Sequence, residues 1–169
     1  ISWSRSEGQD LMKGIDTINI ASLLDVDILI NNVGGMGTCN SEEAEDCMFK
    51  NYRLTQMITD LFLKKQKSYG RVITISSIYG KEKGHNPYFT ASKAAQIAFM
   101  KSLAGKYKGI TFNTICPGHI YVKKPFPYEP SVIGKPEDVA NIVVFLCSDL
   151  AKHIDGACIT VDGGESHAF

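Results

Sequence analysis

The sequence predicts an α/β fold in which helices cover both faces of a parallel sheet, a doubly wound arrangement. Two observations carry this prediction. Short apolar runs alternate along the chain with longer segments whose apolar residues recur at helical spacing. The predicted strands are apolar at nearly every position, which is typical of strands buried on both faces of a parallel sheet. The chain has 169 residues, the length of one ordinary domain, and we expect residues 1–169 to form a single domain.

Strands are predicted where β-branched and apolar residues form a run that ends in turn-forming residues. Weaker candidates lie at 1–5 and 15–24, and the clearer runs are 27–32, 71–75, 110–116 and 158–161. The clearer runs end in Asn-Asn, Ser-Ser, Pro-Gly and Asp-Gly-Gly. Ligands of parallel sheets bind beyond the carboxyl ends of the strands, so we expect these four turns to carry the functional site.

Helices are predicted over residues 41–66, 87–107 and 136–146. Ser41 is a suitable N-cap for the first helix, and Pro87 and Pro136 suit the first turns of the other two. Asn51 interrupts the apolar face of the first helix, and a buried amide without partners costs about 1–3 kcal/mol. This asparagine is therefore either a satisfied structural amide or a polar contact for water and ligand. The Pro- and aromatic-rich segment 121–130 is predicted to be a loop beside the substrate.

Composition excludes several classes of function. The 18 basic residues balance the 18 acidic ones, so charge favours neither nucleic acid nor an anionic membrane as a partner. No apolar run is long enough to span a bilayer, and no signal peptide is evident. The five cysteines and four histidines are scattered without the spacing of metal ligands, so no metal is expected. Reduced thiols and a cytoplasmic location are the expectation.

Several short motifs, in order along essentially the whole chain, resemble those of the short-chain dehydrogenase/reductase family. The resemblance rests on Asn31-Asn32-Val33-Gly34, Asn51 between Lys50 and Tyr52, Ile75-Ser76-Ser77, Ala91-Ser92-Lys93-Ala94-Ala95, Pro117-Gly118, and the closing segments 134–140 and 161–164. One such motif alone is weak support, whereas this many in the right order and spacing are strong support. The resemblance implies a Rossmann-like fold and an NAD(P)-dependent oxidoreductase that interconverts a carbonyl and an alcohol.

The resemblance also implies roles for individual residues. Ser77 would hold the substrate oxygen, Lys93 would bind the cofactor ribose and tune a catalytic phenol, and Asn51 would hold a proton-relay water. Cofactor contacts are implied for Asn32, Val33, Gly34, Lys93, Pro117, Gly118 and Ile120. As alternatives, Ser77 could simply cap a strand end and Lys93 could be a surface helix lysine.

The chain departs from the family pattern at its beginning. The opening strand and glycine-rich turn, which would bind the cofactor pyrophosphate, are absent from the sequence. We therefore expect a Rossmann-like sheet that lacks the first βα unit. If 1–5 corresponds to the second strand, Arg5 would face an adenosine 2′-phosphate, which slightly favours NADP over NAD. Arg5 as an ordinary surface charge remains the alternative.

A second departure affects the catalytic tyrosine. The family tyrosine lies four residues before the lysine, where this chain has Phe89, and Tyr88 stands one position earlier. Four helical residues turn about 400°, which places the two side chains on one face, whereas five turn about 500° and separate them. Tyr88 could therefore act as the acid/base only if the helix begins at or after it. Phenylalanine cannot exchange a proton.

Two functions follow as hypotheses. The first is an NAD(P)-dependent oxidoreductase acting on a small carbonyl or alcohol, with Asn51, Ser77, Tyr88 and Lys93 as catalytic residues. The second is a catalytically degenerate member that keeps the fold as a binding or assembly module. Phe89 and the missing glycine-rich turn support this second hypothesis. In either case the resemblance implies a homodimer or homotetramer that pairs through the two long helices.

Overall fold

The computed structural model describes residues 25–35, 42, 44–64, 68–121 and 132–167. Within these ranges lies a sheet of four strands, all parallel and ordered β1-β2-β3-β4. The strands are β1 (Ile28–Asn31), β2 (Gly70–Ile75), β3 (Ile110–Pro117) and β4 (Cys158–Val161). The four clearer predicted strands are thereby confirmed. The weaker strand candidates, Arg5, Ser41 and almost all of the 121–130 loop lie outside the described residues.

The helices differ from the predicted ones in two places. They are α1 (Ala44–Met48), α2 (Leu54–Leu63), α3 (Pro87–Leu103) and α4 (Pro136–Cys147). A π-helical turn, Phe49–Arg53, joins α1 to α2, so the predicted first helix is not regular throughout. Helix α3 ends at Leu103 rather than 107, because Ala104 leaves the helical conformation and Gly105 adopts φ 74°.

Helices cover both faces of the sheet, which confirms the predicted α/β architecture. On one face, residues of α2 and α3 bury the apolar side chains of β1, β2 and β3; this cluster comprises Leu29, Ile58, Leu61, Phe62, Val72, Met100, Ile110 and Phe112. On the other face, α4 packs against Ile73 and Ile115. The sheet is therefore buried at its centre, and the polar ends of its strands are left for binding.

The cysteines only partly fit the expectation of reduced thiols. Cys116, Cys147 and Cys158 are free, whereas Cys47 is disulfide-bonded, so the expectation is wrong for Cys47. Among the residues described, no three His, Cys, Asp or Glu side chains gather as a metal-ligand set. The same part of the chain contains no helix with the length and apolarity needed to cross a membrane.

Candidate active site

The carboxyl ends of four parallel strands bring the predicted motifs to one edge of the sheet. Asn31 ends β1, Ser76 and Ser77 follow β2, and Gly118 follows β3. The register pairs Asn31 with Thr74, so these strand ends lie side by side. This edge is where a doubly wound sheet binds its ligand.

The Asn51 amide holds the loop that follows β1. Its Oδ1 accepts a hydrogen bond from the Gly35 N–H at 2.8 Å, and its Nδ2 donates to the Gly35 and Cys47 carbonyls at 3.2 and 3.1 Å. Gly34 has φ 105°, and a Cβ there would stand 2.1 Å from the Asn51 Oδ1. Only glycine therefore fits position 34, and Asn51 is a fully satisfied buried amide.

Lys93 is fixed at both its main chain and its side chain. The Ser76 Oγ donates to the Lys93 carbonyl at 2.9 Å. The Lys93 Nζ donates to the Ile75 carbonyl at 3.2 Å and to the Gln96 Oε1 at 3.1 Å. Burial lowers the pKa of Lys93 from 10.5 to about 8, and the nearby Cys116 acts in the opposite direction. An almost buried amine whose pKa is near neutrality thus lies just beyond β2.

Gln96 joins Lys93 to Asn51. While its Oε1 accepts from Lys93, its Nε2 donates to the Asn51 main-chain carbonyl and, at 2.9 Å, to the Thr55 Oγ1. Gln96 is fully buried, and these hydrogen bonds satisfy both the oxygen and the nitrogen of its side-chain amide. The Gln96 amide therefore lies between Lys93 and Asn51, the asparagine to which the family resemblance assigns a relay water.

Ser77 presents its hydroxyl at the end of β2. It caps the short 3₁₀ turn Ile78–Gly80, where its Oγ accepts a hydrogen bond from the Tyr79 N–H at 3.2 Å. The side chain is half-buried, and its hydroxyl proton can be donated to a ligand oxygen. Both the capping role and the ligand role are therefore compatible with this geometry.

Phe89, not Tyr88, lies beside Lys93. The α3 helix begins at Pro87, and the Asn86 side chain accepts hydrogen bonds from the N–H groups of Tyr88 and Phe89 at 3.0 Å each. The Phe89 ring centroid is 5.7 Å from the Lys93 Nζ. Tyr88, already inside the first turn, does not meet the condition for reaching the lysine face.

Tyr88 instead lines a different cavity. This cavity, of about 380 Å³, lies between α1, the π turn and α3, and its lining is Ala44, Glu45, Met48, Phe49, Arg53, Tyr88 and Ala91. The structure thus brings Ser77 and Lys93 to the sheet edge but places Tyr88, half-buried, between α1 and α3, where it packs against the cluster of Cys47 and Phe89.

A histidine and a glutamate that the sequence analysis did not single out meet at the same edge. The Glu165 Oε2 accepts from the His119 N–H at 2.9 Å, and the Oε1 contacts the ring Nδ1. A Cβ on Gly118 would stand 2.5 Å from the same carboxylate and 2.7 Å from the Asp162 Cβ, and the second contact favours glycine between Pro117 and His119. The two residues are 46 positions apart, and the signal that could have found them is that both follow the ends of adjacent parallel strands.

Comparison with known proteins identifies the family. Residues 5–124 match the family model described as short chain dehydrogenase. The chain belongs to this family. Residues 128–166 match a further model, described as enoyl-(acyl carrier protein) reductase. This chain is accordingly an NAD(P)-dependent oxidoreductase that interconverts the carbonyl and alcohol forms of a small molecule.

Individual relatives within the short chain dehydrogenase family are reductases and dehydrogenases. Acetoacetyl-CoA reductase of Shinella zoogloeoides is 33% identical over 195 aligned positions, covering 96% of this chain and 77% of that protein. The 3-oxoacyl-[acyl-carrier-protein] reductase FabG of Escherichia coli is 31% identical, with 94% and 78% covered. Acetoin dehydrogenase YohF from Salmonella typhimurium superimposes with a TM-score of 0.78 at 25% identity, covering 89% and 68%. A Tyr-to-Phe variant of ElxO with NADPH bound superimposes with a TM-score of 0.76 at 25% identity, covering 86% and 69%.

The residues at the sheet edge fit the nicotinamide cofactor of this family. A Cβ on Gly34 would collide with Asn51 and one on Gly118 with Asp162, so glycine allows both loops to pack closely against the neighbouring chain at this edge. Asn32 is exposed and Val33 half-buried in the first loop. Beyond the second, Ile120 bridges to Gly134, which fixes the course of the chain.

Proposed function

We propose that this chain reduces a small carbonyl compound to an alcohol, with Ser77 and Lys93 at the reacting centre. The observation that carries the proposal is the buried Lys93 ammonium, held by the Ile75 carbonyl and Gln96 at the strand end from which Ser77 projects. When bound, the nicotinamide cofactor supplies or accepts the hydride. Ser77 orients the substrate oxygen, Lys93 binds the cofactor ribose, and Asn51 keeps the first cofactor loop in shape.

Tyr88 remains the sequence-based candidate for the acid/base. It lies between α1 and α3, and the described hydrogen bonds of the Lys93 Nζ go to Ile75 and Gln96 instead. The substitution Tyr88→Phe tests it directly: loss of carbonyl reduction supports the role, and an active variant removes Tyr88 from the mechanism.

We further propose NADPH as the preferred cofactor. Support comes from the related ElxO structure, which holds NADPH. The sequence-based argument from Arg5 points the same way but concerns a residue outside the described ranges.

The test of the proposed function is a binding titration followed by turnover. NADPH and NADH are each titrated against the protein by fluorescence, and a panel that includes acetoacetyl-CoA and acetoin is then assayed for oxidation of the bound cofactor. We expect micromolar NADPH binding and turnover of at least one carbonyl. Lys93→Met should weaken NADPH binding and Ser77→Ala should lower kcat by about 10²-fold, whereas the exposed controls Lys152→Met and Ser102→Ala should match the wild type.

The second candidate function is that of a degenerate member serving as an assembly module. Phe89 beside Lys93 favours it, as does Gln96 in the link to Asn51, because neither side chain can pass a proton as a phenol or a water does. A protein that binds neither NADPH nor NADH but still assembles would favour this second function over the first.

We also propose that the chain forms a homodimer or homotetramer through α1, α2 and α3. The support is the cavity lined by Tyr88, whose exposed lining on α1, the π turn and α3 is almost entirely apolar. A second copy of the chain would cover it.

A further inference from the structure

A proton source is needed wherever a carbonyl becomes an alcohol, and Phe89 cannot be that source. The position beside Lys93 that should hold a phenol holds a hydrocarbon ring. Among the ionisable side chains described near this edge, His119 and Glu165 form a pair that the proposed function has not used.

The His119–Glu165 pair is built as a dyad. Both carboxylate oxygens are engaged, one by the His119 N–H at 2.9 Å and the other by the ring Nδ1. The side chains are only 10% and 15% exposed. A carboxylate on Nδ1 holds the proton there, which places Nε2, on the far side of the ring, in the role of proton donor or acceptor. This is the arrangement by which a carboxylate orients a catalytic imidazole.

The dyad is joined to the Lys93 site by aromatic side chains. The Tyr79 ring lies 6.1 Å from the His119 ring in an edge-to-face contact. Tyr79 also packs against the buried cluster that contains Phe89, and Phe89 in turn contacts Lys93. His119 directly follows Pro117-Gly118 at the end of β3, the strand adjacent to the one that carries Ser77. The dyad therefore borders the place where the substrate is proposed to bind.

We propose that His119 is the acid/base of carbonyl reduction in this chain and that Glu165 is its positioning residue. This inference rests on the proposed function. The substrate carbon accepts the hydride, and the π electron pair of the C=O bond moves onto oxygen. That oxygen forms its O–H bond with the proton from Nε2, whose N–H bond breaks. The imidazolium becomes a neutral imidazole whose Nδ1–H bond remains intact and donates to the Glu165 carboxylate, and Nε2 then regains a proton from water. Alcohol oxidation follows the same path in reverse.

The experiment compares His119→Ala and Glu165→Gln with the matched control His153→Ala, an exposed histidine outside the dyad. NADPH affinity, kcat and KM are measured with the carbonyl that the wild type reduces fastest, with and without added imidazole. We expect His119→Ala to lose about 10²-fold in kcat, with NADPH affinity held within about threefold. Imidazole should restore part of the kcat of His119→Ala, and the control should match the wild type.

A measurement that does not depend on turnover tests the dyad itself. In the ¹⁵N spectrum of the cofactor-free wild type, the neutral imidazole of His119 should be the Nδ1–H tautomer, which the loss of the Nε2 proton leaves behind. Glu165→Gln should lose that preference together with kcat. An Nε2–H tautomer in the wild type overturns the proposal even if the enzyme is active.

The remaining outcomes separate this proposal from the proposed function. Full activity of His119→Ala overturns the dyad and leaves the oxidoreductase function intact. A His119→Ala variant that loses NADPH affinity and is not rescued by imidazole assigns His119 a structural role and also overturns the dyad. A wild type that binds no reduced cofactor overturns the proposed function, and with it the acid/base role.

Discussion

At the scale of single residues, burial changes the acid–base behaviour of Lys93 at the sheet edge. Its ammonium loses most of its hydration and regains only two hydrogen bonds, one to a main-chain carbonyl and one to an amide. The protonated form is thereby disfavoured, which is why the pKa falls to about 8. A lysine in this state holds a proton weakly enough to respond to its neighbours near physiological pH.

The lowered pKa predicts a pH dependence of stability. Between about 8 and 10.5 the unfolded chain holds the Lys93 proton and the folded chain does not. Raising the pH through this window should therefore increase the free energy of unfolding, by up to about 3 kcal/mol relative to Lys93→Met. Urea unfolding of both proteins from pH 7.5 to 10 measures the difference, with Lys152→Met as the control. Parallel curves for the wild type and Lys93→Met would contradict the prediction.

Phe89 offers a test by gain of function. Its ring already lies 5.7 Å from the Lys93 Nζ, so Phe89→Tyr would add a hydroxyl on the lysine side of α3. General acid–base groups typically contribute about 10²- to 10⁴-fold, and we expect the variant to raise kcat by at least about tenfold. Steady-state assays of the single variant, and of Phe89→Tyr combined with His119→Ala, measure the effect. No gain in either background would show that a phenol cannot reach the substrate from position 89.

At the scale of elements, Gln96 connects α3 to the π turn. One amide binds Lys93, the Asn51 carbonyl and Thr55, all in the buried layer between the two helices. The same Asn51 holds the loop after β1 through its side chain. The helix pair and the first cofactor loop are thus parts of one hydrogen-bond network.

Removal of the Gln96 hydrogen bonds should lower the free energy of unfolding. Gln96→Leu keeps the volume but leaves buried polar partners unpaired, so we expect a loss of about 1–3 kcal/mol in the free energy of unfolding. Urea unfolding measures it, and Gln56→Leu on α2, whose hydrogen bonds are exposed, should change stability far less. If the two variants are equally stable, the network contributes nothing measurable.

At the scale of the whole molecule, the described residues combine a covered sheet centre with exposed apolar surface. Helices α2 and α3 cover one face of the sheet and α4 covers β2 and β3 on the other, whereas Ile28 and Ile30 of β1 are exposed. The outer surface of α1 and α3 keeps an apolar cavity of about 380 Å³ beside Tyr88 and Ala91. Surfaces of this kind commonly mark an interface.

We therefore expect the assembly to depend on this surface. Ala91→Arg places a charge on the cavity rim, and it should shift the protein toward monomer in analytical ultracentrifugation. Ala140→Arg, an equally exposed alanine on α4, should leave the assembly unchanged. A wild type that sediments as a monomer at all concentrations would refute the proposed pairing.

Much of the fold could be predicted from the sequence. Strands β1 to β4 follow from apolar runs that end in turn residues, and α3 and α4 follow from Pro87 and Pro136 with the apolar repeat behind them. The π turn around Asn51 could not be predicted in this way, because an apolar repeat of three to four residues tolerates one wider turn. Similarly, the end of α3 depends on the conformation of Gly105, which hydrogen-bonds Asp155, 50 residues away.

By itself the sequence determined the type and order of the elements, the strand-end motifs and the family resemblance, because each of these is written in neighbouring residues. Only the tertiary structure decided which side chains meet. It placed Phe89 rather than Tyr88 beside Lys93, set Gln96 between Lys93 and Asn51, and paired His119 with Glu165. The physical reason is that these contacts depend on strand register and helix packing, which join residues far apart in the chain.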